Sequence, residues 1–95
     1  MSRTLICLGA GIEGLPILEH AKSRGLRLVV VDGRAAAPGM ALADVPVQAS
    51  CYDTFETQLA LADEGLYPDG VMCCAIDAPH VAADVAQFYG LPGLT

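Results

Sequence analysis

Four apolar runs alternate with amphipathic segments along this chain of 95 residues. Within each run the apolar side chains are nearly continuous, which is typical of strands that are buried on both faces of a parallel sheet. The runs are "TLICL", "LRLVVV", "VPVQA" and "GVMCCA", at residues 4–8, 26–31, 45–49 and 70–75. Because Pro46 cannot donate a hydrogen bond to a neighbouring strand, the third run is expected at an edge of the sheet.

Three amphipathic segments predict helices at residues 12–24, 53–64 and 77–89, and a glycine follows each of them, as is common where a helix ends. Asp53 and Asp77 are predicted to cap the second and third helices. The apolar spacing predicts the following buried residues: Ile12, Leu15 and Leu18 in the first helix, Phe55, Leu59 and Ala62 in the second, and Val81, Val85 and Phe88 in the third.

The alternation of strands and helices predicts an α/β fold, a Rossmann-like four-stranded parallel sheet flanked by helices. The commonest strand order for such a chain is 3-2-1-4, which reverses between the first and fourth strands. Ligands of open α/β sheets bind where the order reverses, so residues 9–14 and 75–80 should face each other there. The length allows one domain, residues 1–95.

The first strand leads into "GAGIEG", a G-x-G-x-x-G pattern formed by Gly9, Gly11 and Gly14. Glycine allows a sharp exit from the strand, a close approach of a ligand and tight packing of the next helix. If that helix begins near Glu13, its first N–H groups favour a phosphate or a carboxylate. A purely structural glycine turn is the alternative. No Lys-Ser or Lys-Thr pair follows the loop, so it cannot hold ATP as a Walker loop does.

Asp32 ends the second strand about 20 residues after the glycine loop, where a dinucleotide fold places the acid that binds a ribose 2′-OH. If the ligand were NADP instead, Arg34 would bind its 2′-phosphate. The residues of such an NAD(P) site would be Gly9, Gly11, Gly14, Asp32 and Arg34. Alternatively, Asp32 closes a turn and forms a surface ion pair with Arg34. The sequence leaves both interpretations open.

The charge and the lengths of the apolar segments argue against two classes of partner, nucleic acid and membrane. The net charge is −6, all five Lys and Arg residues precede position 35, and eight of the eleven acidic residues follow it. Nucleic acid is not an expected partner, because its phosphates require a basic face. No apolar segment approaches the roughly 20 residues that span a bilayer, and the start lacks a signal-peptide pattern. We therefore expect a cytoplasmic protein without membrane contact.

Apolar residues make up 54% of the chain, above the usual value of about 45–50%. Part of the apolar surface is therefore expected to contact a neighbour, in a homo-oligomer. The four cysteines form no C-x-x-C pair and the two histidines fall on different helices, so no metal site is predicted. Cys51, in the polar stretch "ASCYD", is expected to be partly exposed.

Three stretches carry a resemblance to a known family: "LGAGIEGLPILEHAKSRGLRLVVVD", "APGMALAD" and "YGLPGLT". Together they resemble the N-terminal, or pre-ATP-grasp, domain of ATP-grasp carboxylate-amine ligases, of the group related to carbamoyl-phosphate synthase large chains. Dehydrogenases share the glycine loop, whereas the "APG" loop and the "GLPG" exit are more specific in combination. The resemblance covers essentially the whole chain.

The resemblance implies a parent enzyme that uses Mg-ATP to convert a carboxylate to an acyl phosphate, which an amine then attacks. ATP-grasp domains, in the same or a separate chain, would supply the ATP site, so the 95 residues would hold no cofactor, metal or catalytic residue. The resemblance places a small-molecule substrate against Gly9, Gly11, Ile12, Glu13, Gly14, Asp32 and Asp77. A free-standing NAD(P)-binding module and a structural interaction domain are the alternatives.

Overall fold

Strands and helices alternate along residues 3–91, the part of the chain that the computed structural model describes. The strands are β1 (Thr4–Leu8), β2 (Arg27–Asp32), β3 (Val45–Gln48) and β4 (Gly70–Cys73). The helices are α1 (Leu15–Ser23), α2 (Thr54–Ala62) and α3 (Pro79–Phe88), and two short 3-10 turns lie at Ile12–Gly14 and Pro38–Leu42. Residues 92–95, which end the stretch "YGLPGLT", lie outside the described part.

The four strands form one all-parallel sheet in the order β3-β2-β1-β4. β1 is central, and its Ile6 lies between Val29 of β2 and Val71 of β4. Pro46 lies opposite Val30 on the edge strand β3, where its missing N–H costs no hydrogen bond to a further strand. The predicted α/β fold and its strand order are confirmed.

The continuous apolar runs follow from a sheet that is covered on both faces. Successive strand residues point to opposite faces, so Ile6 packs towards α2 and α3, whereas Cys7 packs with Leu18 of α1. Val29 and Val30 of β2 divide between the two cores in the same way. In the inner strands β1 and β2 both faces are therefore covered, which explains why polar alternation is absent from these two runs. The edge strand β3 differs, because its Pro46 and Gln48 are exposed.

The "APG" segment packs against the glycine loop through Gly39. A Cβ atom on Gly39 would lie 2.6 Å from Leu18 Cδ1 and 3.0 Å from Ala10 Cα, so only glycine fits between these neighbours without a shift. The Gly39 N–H donates a hydrogen bond of 2.7 Å to the Ala10 carbonyl. The 3-10 turn thereby holds the first loop from the side of α1.

Asp44 anchors the far end of that segment. Its carboxylate accepts hydrogen bonds from the Leu28 N–H at 2.8 Å and from Lys22 Nζ at 3.2 Å. The Leu28 N–H, with the Lys22 ammonium beside it, holds the pKa of Asp44 below its usual value. The "AD" that follows "APG" in the sequence thus joins the start of β2 to α1.

The helices differ from the sequence prediction in which side chains they bury. On α2 the buried residues are Thr57 and Leu61, whereas Phe55 is 71% exposed and Leu59 is 55% exposed. On α3 Val81 and Val85 are buried as predicted, but Phe88 is 52% exposed. Ile12 is also exposed, because it lies in a 3-10 turn before α1 begins. The predicted buried face of α2 is wrong because several apolar positions compete, and Leu61 is the one that packs into the core with strand residues such as Val47.

The two predicted caps have different outcomes. Asp53 caps α2, and its Oδ1 accepts the Glu56 N–H at 3.0 Å. The N-cap of α3 is Ala78, which makes no side-chain hydrogen bond, so the prediction that Asp77 caps this helix is wrong. Pro79 at the first helical position removes one N–H that would need a partner, so a polar cap is less necessary there.

No helix within residues 3–91 combines the length and apolar character that crossing a membrane requires.

Two leucines of α2, one buried and one exposed, test which face of this helix packs into the core. Replacement of Leu61 with Ala is expected to lower the free energy of unfolding by about 2–5 kcal/mol, because it leaves a cavity in the core. Replacement of the exposed Leu59 with Ala should change it by less than about 0.5 kcal/mol. Urea unfolding of both variants measures the difference, and a larger loss for Leu59→Ala would show that α2 is rotated.

Candidate functional site

A cavity of about 530 Å³ opens at the carboxyl edge of the sheet, where the strand order reverses. Four segments line it: the glycine loop, the end of β2, the connection from β3 to α2, and the turn after β4. The lining residues are 9, 11–13, 32–34, 50–52 and 75–76. The predicted meeting of the first loop with the turn after β4 is therefore present in the structure.

Two of the three loop glycines are required for packing. Gly9 has a φ of +106°, and a Cβ atom there would lie 2.7 Å from Ile76 Cγ2 and 2.9 Å from the Cys74 carbonyl oxygen. A Cβ atom on Gly14 would lie 3.0 Å from the same oxygen. These contacts seat the loop against the end of β4, as the structural interpretation of the glycine pattern requires.

Gly11 differs from the other two glycines. Its φ of −69° is available to any residue, and the nearest atom to a Cβ would be Arg34 Nη2 at 3.7 Å. Packing therefore does not explain this glycine. It borders the open cavity, and a side chain there would occupy part of that space.

The chain after Gly11 does not enter an α-helix directly. A 3-10 turn covers Ile12–Gly14, and α1 begins only at Leu15. The N–H groups of Gly14 and Leu15 already donate to the carbonyls of Gly11 and Ile12. The expectation of an α-helix that begins near Glu13 is therefore wrong, and Gly14 does not present its N–H to the cavity.

Asp32 ties the end of β2 to the glycine loop. Its Oδ2 accepts the buried Ala10 N–H at 2.9 Å, and its Oδ1 accepts the Arg34 N–H at 2.8 Å and Arg34 Nε at 3.3 Å. Only 12% of the Asp32 side chain is exposed. The turn and ion-pair roles that the sequence suggested are thus both present.

Opposing effects act on the ionisation of Asp32. Burial on its own raises the pKa, because it removes water from the charged form. The N–H groups of Arg34 and Ala10, together with the Arg34 guanidinium, outweigh burial and hold the pKa of Asp32 below its usual value. The carboxylate is therefore charged at neutral pH and is used mainly within the protein.

The wall formed by residues 50–52 was not predicted from the sequence. The Glu56 carboxylate accepts the Ser50 N–H, at 2.6 Å, and the Thr57 hydroxyl donates to the Ser50 carbonyl at 2.7 Å. These bonds fix the wall to the first turn of α2. Tyr52, which is 61% exposed, stands at the cavity with Ser50. A short polar stretch directly after a strand was the only signal for this wall.

Cys51 is buried, contrary to the sequence expectation, and only 4% of it is exposed. Its thiol donates a hydrogen bond of 2.9 Å to the Val31 carbonyl, which also accepts the Gly9 N–H at 2.7 Å. Burial, with the negative charge of Asp32 nearby, raises the pKa of Cys51 to about 11. The thiol is therefore protonated at neutral pH and forms part of the cavity floor.

Only the beginning of residues 75–80 reaches the cavity. Ala75 and Ile76 line it, whereas Asp77 and His80 are exposed and lie outside the lining. Ala75 has a φ of +61°, an uncommon conformation for a residue with a side chain. This turn directs the chain away from β4, so Asp77 does not join the other candidate residues.

Among the comparisons with known proteins, only the comparison with solved structures finds matches. No family model matches the chain, and no curated protein matches it. Phosphoribosylglycinamide synthetase from Anaerococcus prevotii matches 100% of this chain with a TM-score of 0.82 and 25% identity. N5-carboxyaminoimidazole synthetase from Staphylococcus aureus, complexed with ADP, matches 97% with a TM-score of 0.70 and 22% identity. An L-amino acid ligase from Bacillus licheniformis matches 98% with a TM-score of 0.71 and 19% identity.

These neighbours are ATP-grasp ligases. The chain spans 24% of the first two and 25% of the third, about a quarter of each enzyme. An N-terminal domain of an ATP-grasp ligase fits this coverage, so the predicted resemblance to such domains is confirmed. The assignment to the group of carbamoyl-phosphate synthase large chains stays a prediction.

The hydrogen bonds of Asp32 predict its effect on stability. Replacement of Asp32 with Ala should lower the free energy of unfolding by about 1–3 kcal/mol, because the buried Ala10 N–H loses its acceptor. Replacement of the exposed Asp63 with Ala is the control and should change it by less than about 0.5 kcal/mol.

The stabilisation by Asp32 should also depend on pH in a defined direction. Because folding lowers the pKa of Asp32, the contribution is complete above the usual value of 3.8 and disappears as the pH falls through the lower folded value. Urea unfolding at several pH values should show wild type and Asp32→Ala converging in acid. A constant difference across this range would contradict the role of the charged carboxylate.

Proposed function

We propose that this chain is the substrate-side, Rossmann-like domain of an ATP-dependent carboxylate-amine ligase related to carbamoyl-phosphate synthase large chains. The observation that carries the proposal is the fold match to about a quarter of several ATP-grasp ligases, combined with an open cavity at the reversal of strand order. Open α/β sheets bind ligands at this position.

In such a ligase, bound Mg-ATP would supply the phosphoryl group that activates a carboxylate as an acyl phosphate for attack by an amine, with ADP and then phosphate as the leaving groups. The residues of this chain bind and orient the acceptor rather than the nucleotide. We assign that role to Gly9, Gly11, Ile12, Glu13 and Asp32, all of which border the cavity. Gly9 and Asp32 shape its floor, whereas Gly11, Ile12 and Glu13 contact the ligand.

The catalytic groups are proposed to come from ATP-grasp domains in the same or a separate chain. Among the described lining residues, Arg34 is the only cation, and the loop lacks a phosphate-binding lysine. The domain is therefore inactive alone. The exposed apolar side chains Phe55, Leu59 and Phe88 support contact with a neighbour, either these domains or a second copy in a homo-oligomer.

A free-standing NAD(P)-binding module is the second candidate, supported by the glycine loop and by Asp32 at the end of β2. Two observations weigh against it. The Asp32 carboxylate already accepts three hydrogen bonds within the protein, which leaves little capacity for a ribose hydroxyl. The exposed Glu13 carboxylate at the loop would repel a pyrophosphate.

Calorimetric titration of the chain separates the two candidates. The ligase proposal predicts no binding of Mg-ATP or NAD tighter than about 1 mM, which corresponds to about −4.1 kcal/mol. A micromolar dissociation constant for NAD would favour the dinucleotide module, and a micromolar constant for Mg-ATP would contradict the assignment of the nucleotide site to other domains.

In the intact ligase, replacement of Gly11 with Val should raise the KM of the acceptor by about tenfold, or about 1.4 kcal/mol of binding. The added methyl groups would enter the cavity beside Arg34, whereas the ATP site lies in other domains. Ala41→Val, at an exposed position outside the cavity lining, is the control. A change confined to the KM of ATP would place the acceptor elsewhere.

A further inference from the structure

The guanidinium of Arg34 is only partly used by the protein. Its Nε donates to Asp32 Oδ1 at 3.3 Å, whereas its two Nη atoms make no hydrogen bond within residues 3–91. The side chain is 68% exposed, and an ion pair with that exposure adds little to stability. Two donor groups of the guanidinium are therefore available on the cavity side.

The position of this guanidinium is set by its neighbours. The Arg34 N–H and Nε both donate to the same oxygen of Asp32, so the backbone and the first part of the guanidinium share one anchor. Nη2 lies 3.7 Å from the position that a Cβ of Gly11 would take, which places the end of the side chain over the glycine loop. The absence of a side chain at Gly11 leaves room beside these donors.

The charges that line the cavity favour a particular kind of ligand. Asp32 remains charged, but it is mostly buried and its oxygens already accept three hydrogen bonds. Glu13 and Arg34 are therefore the two charged groups that a ligand can reach among the described lining residues. A simple anion would be attracted by Arg34 and repelled by Glu13, and a simple amine would meet the reverse. A molecule that carries both groups satisfies both side chains.

We propose that Arg34 binds an anionic group, phosphate or carboxylate, on the acceptor, and that Glu13 binds the ammonium form of its amine. The substrate class is then an amine that carries its own anionic group. The planar guanidinium suits both kinds of anion, because each presents paired oxygens to its parallel N–H donors. This inference rests on the proposed function, since it assigns the cavity to the amine acceptor.

Titration of the 95-residue chain with four small probes tests the inference, with binding followed by amide resonances and by calorimetry. O-Phosphoethanolamine and glycine carry both groups, whereas inorganic phosphate and ethanolamine carry one each. We expect one of the two bifunctional probes to bind about tenfold more tightly than either monofunctional probe. The preferred one identifies the anion as phosphate or carboxylate.

Variants at position 34 assign the anion to Arg34. Arg34→Gln should weaken the binding of the preferred probe by about tenfold. Arg34→Lys should have an intermediate effect on binding, because lysine keeps the charge but loses the paired donors. Arg24→Gln, at an exposed position outside the cavity, is the matched control and should bind as wild type does. Because the backbone N–H of residue 34 still donates to Asp32, the variants are expected to fold, which thermal unfolding verifies.

The outcomes separate this inference from the function on which it rests. Equal affinity of wild type and Arg34→Gln for the preferred probe would overturn the role of Arg34 and leave the ligase proposal intact. Weak ligands have dissociation constants of about 1 mM. If none of the four probes bound at about 50 mM, the inference would also be overturned. Micromolar binding of NAD in the same cavity would overturn both.

Discussion

The Asp32 carboxylate is the interaction on which the site depends. It holds the N–H of Ala10 from the end of β2, while the Gly39 N–H holds the Ala10 carbonyl from the opposite side. One peptide unit on each side of Ala10 is therefore fixed by residues far away in the sequence. Because the buried N–H and carbonyl would each be costly to leave without a partner, the glycine loop has one stable position relative to the sheet.

The same carboxylate determines which charges remain for a ligand. The Asp32 carboxylate accepts hydrogen bonds from three donors. Two of these donors belong to Arg34, so Asp32 orients that side chain, and the end of the guanidinium lies over Gly11. The Cys51 thiol donates to the Val31 carbonyl beneath the loop, and burial raises its pKa, so it is protonated at neutral pH. We propose that this site binds and orients a small molecule, in a chain that spans about a quarter of the ligases it resembles in structure.

The sequence predicted the fold well because it depends on features that are visible locally. Continuous apolar runs identified strands that are covered on both faces, and Pro46 identified an edge strand. The site was harder to predict, because it depends on contacts between segments that are distant in the sequence. The burial of Cys51 and the wall formed by residues 50–52 follow from packing against β2 and α2. The prediction of the buried face of α2 failed for a related reason. Leu59 and Leu61 are equally apolar, and only the tertiary packing of Leu61 into the core with strand residues such as Val47 decides which one is buried.

The most direct test of the hydrogen bond between the Ala10 N–H and Asp32 is the pH dependence of the Ala10 backbone amide resonance. It is measured in the protein labelled with nitrogen-15. The account predicts that this resonance shifts upfield in acid with a midpoint below 3.8, the usual pKa of an aspartate, as Asp32 is protonated and its hydrogen bond weakens. The Arg34 amide should shift with the same midpoint, because it donates to the same carboxylate. An Ala10 resonance that does not respond to acid, or that titrates at or above 3.8, would contradict the account.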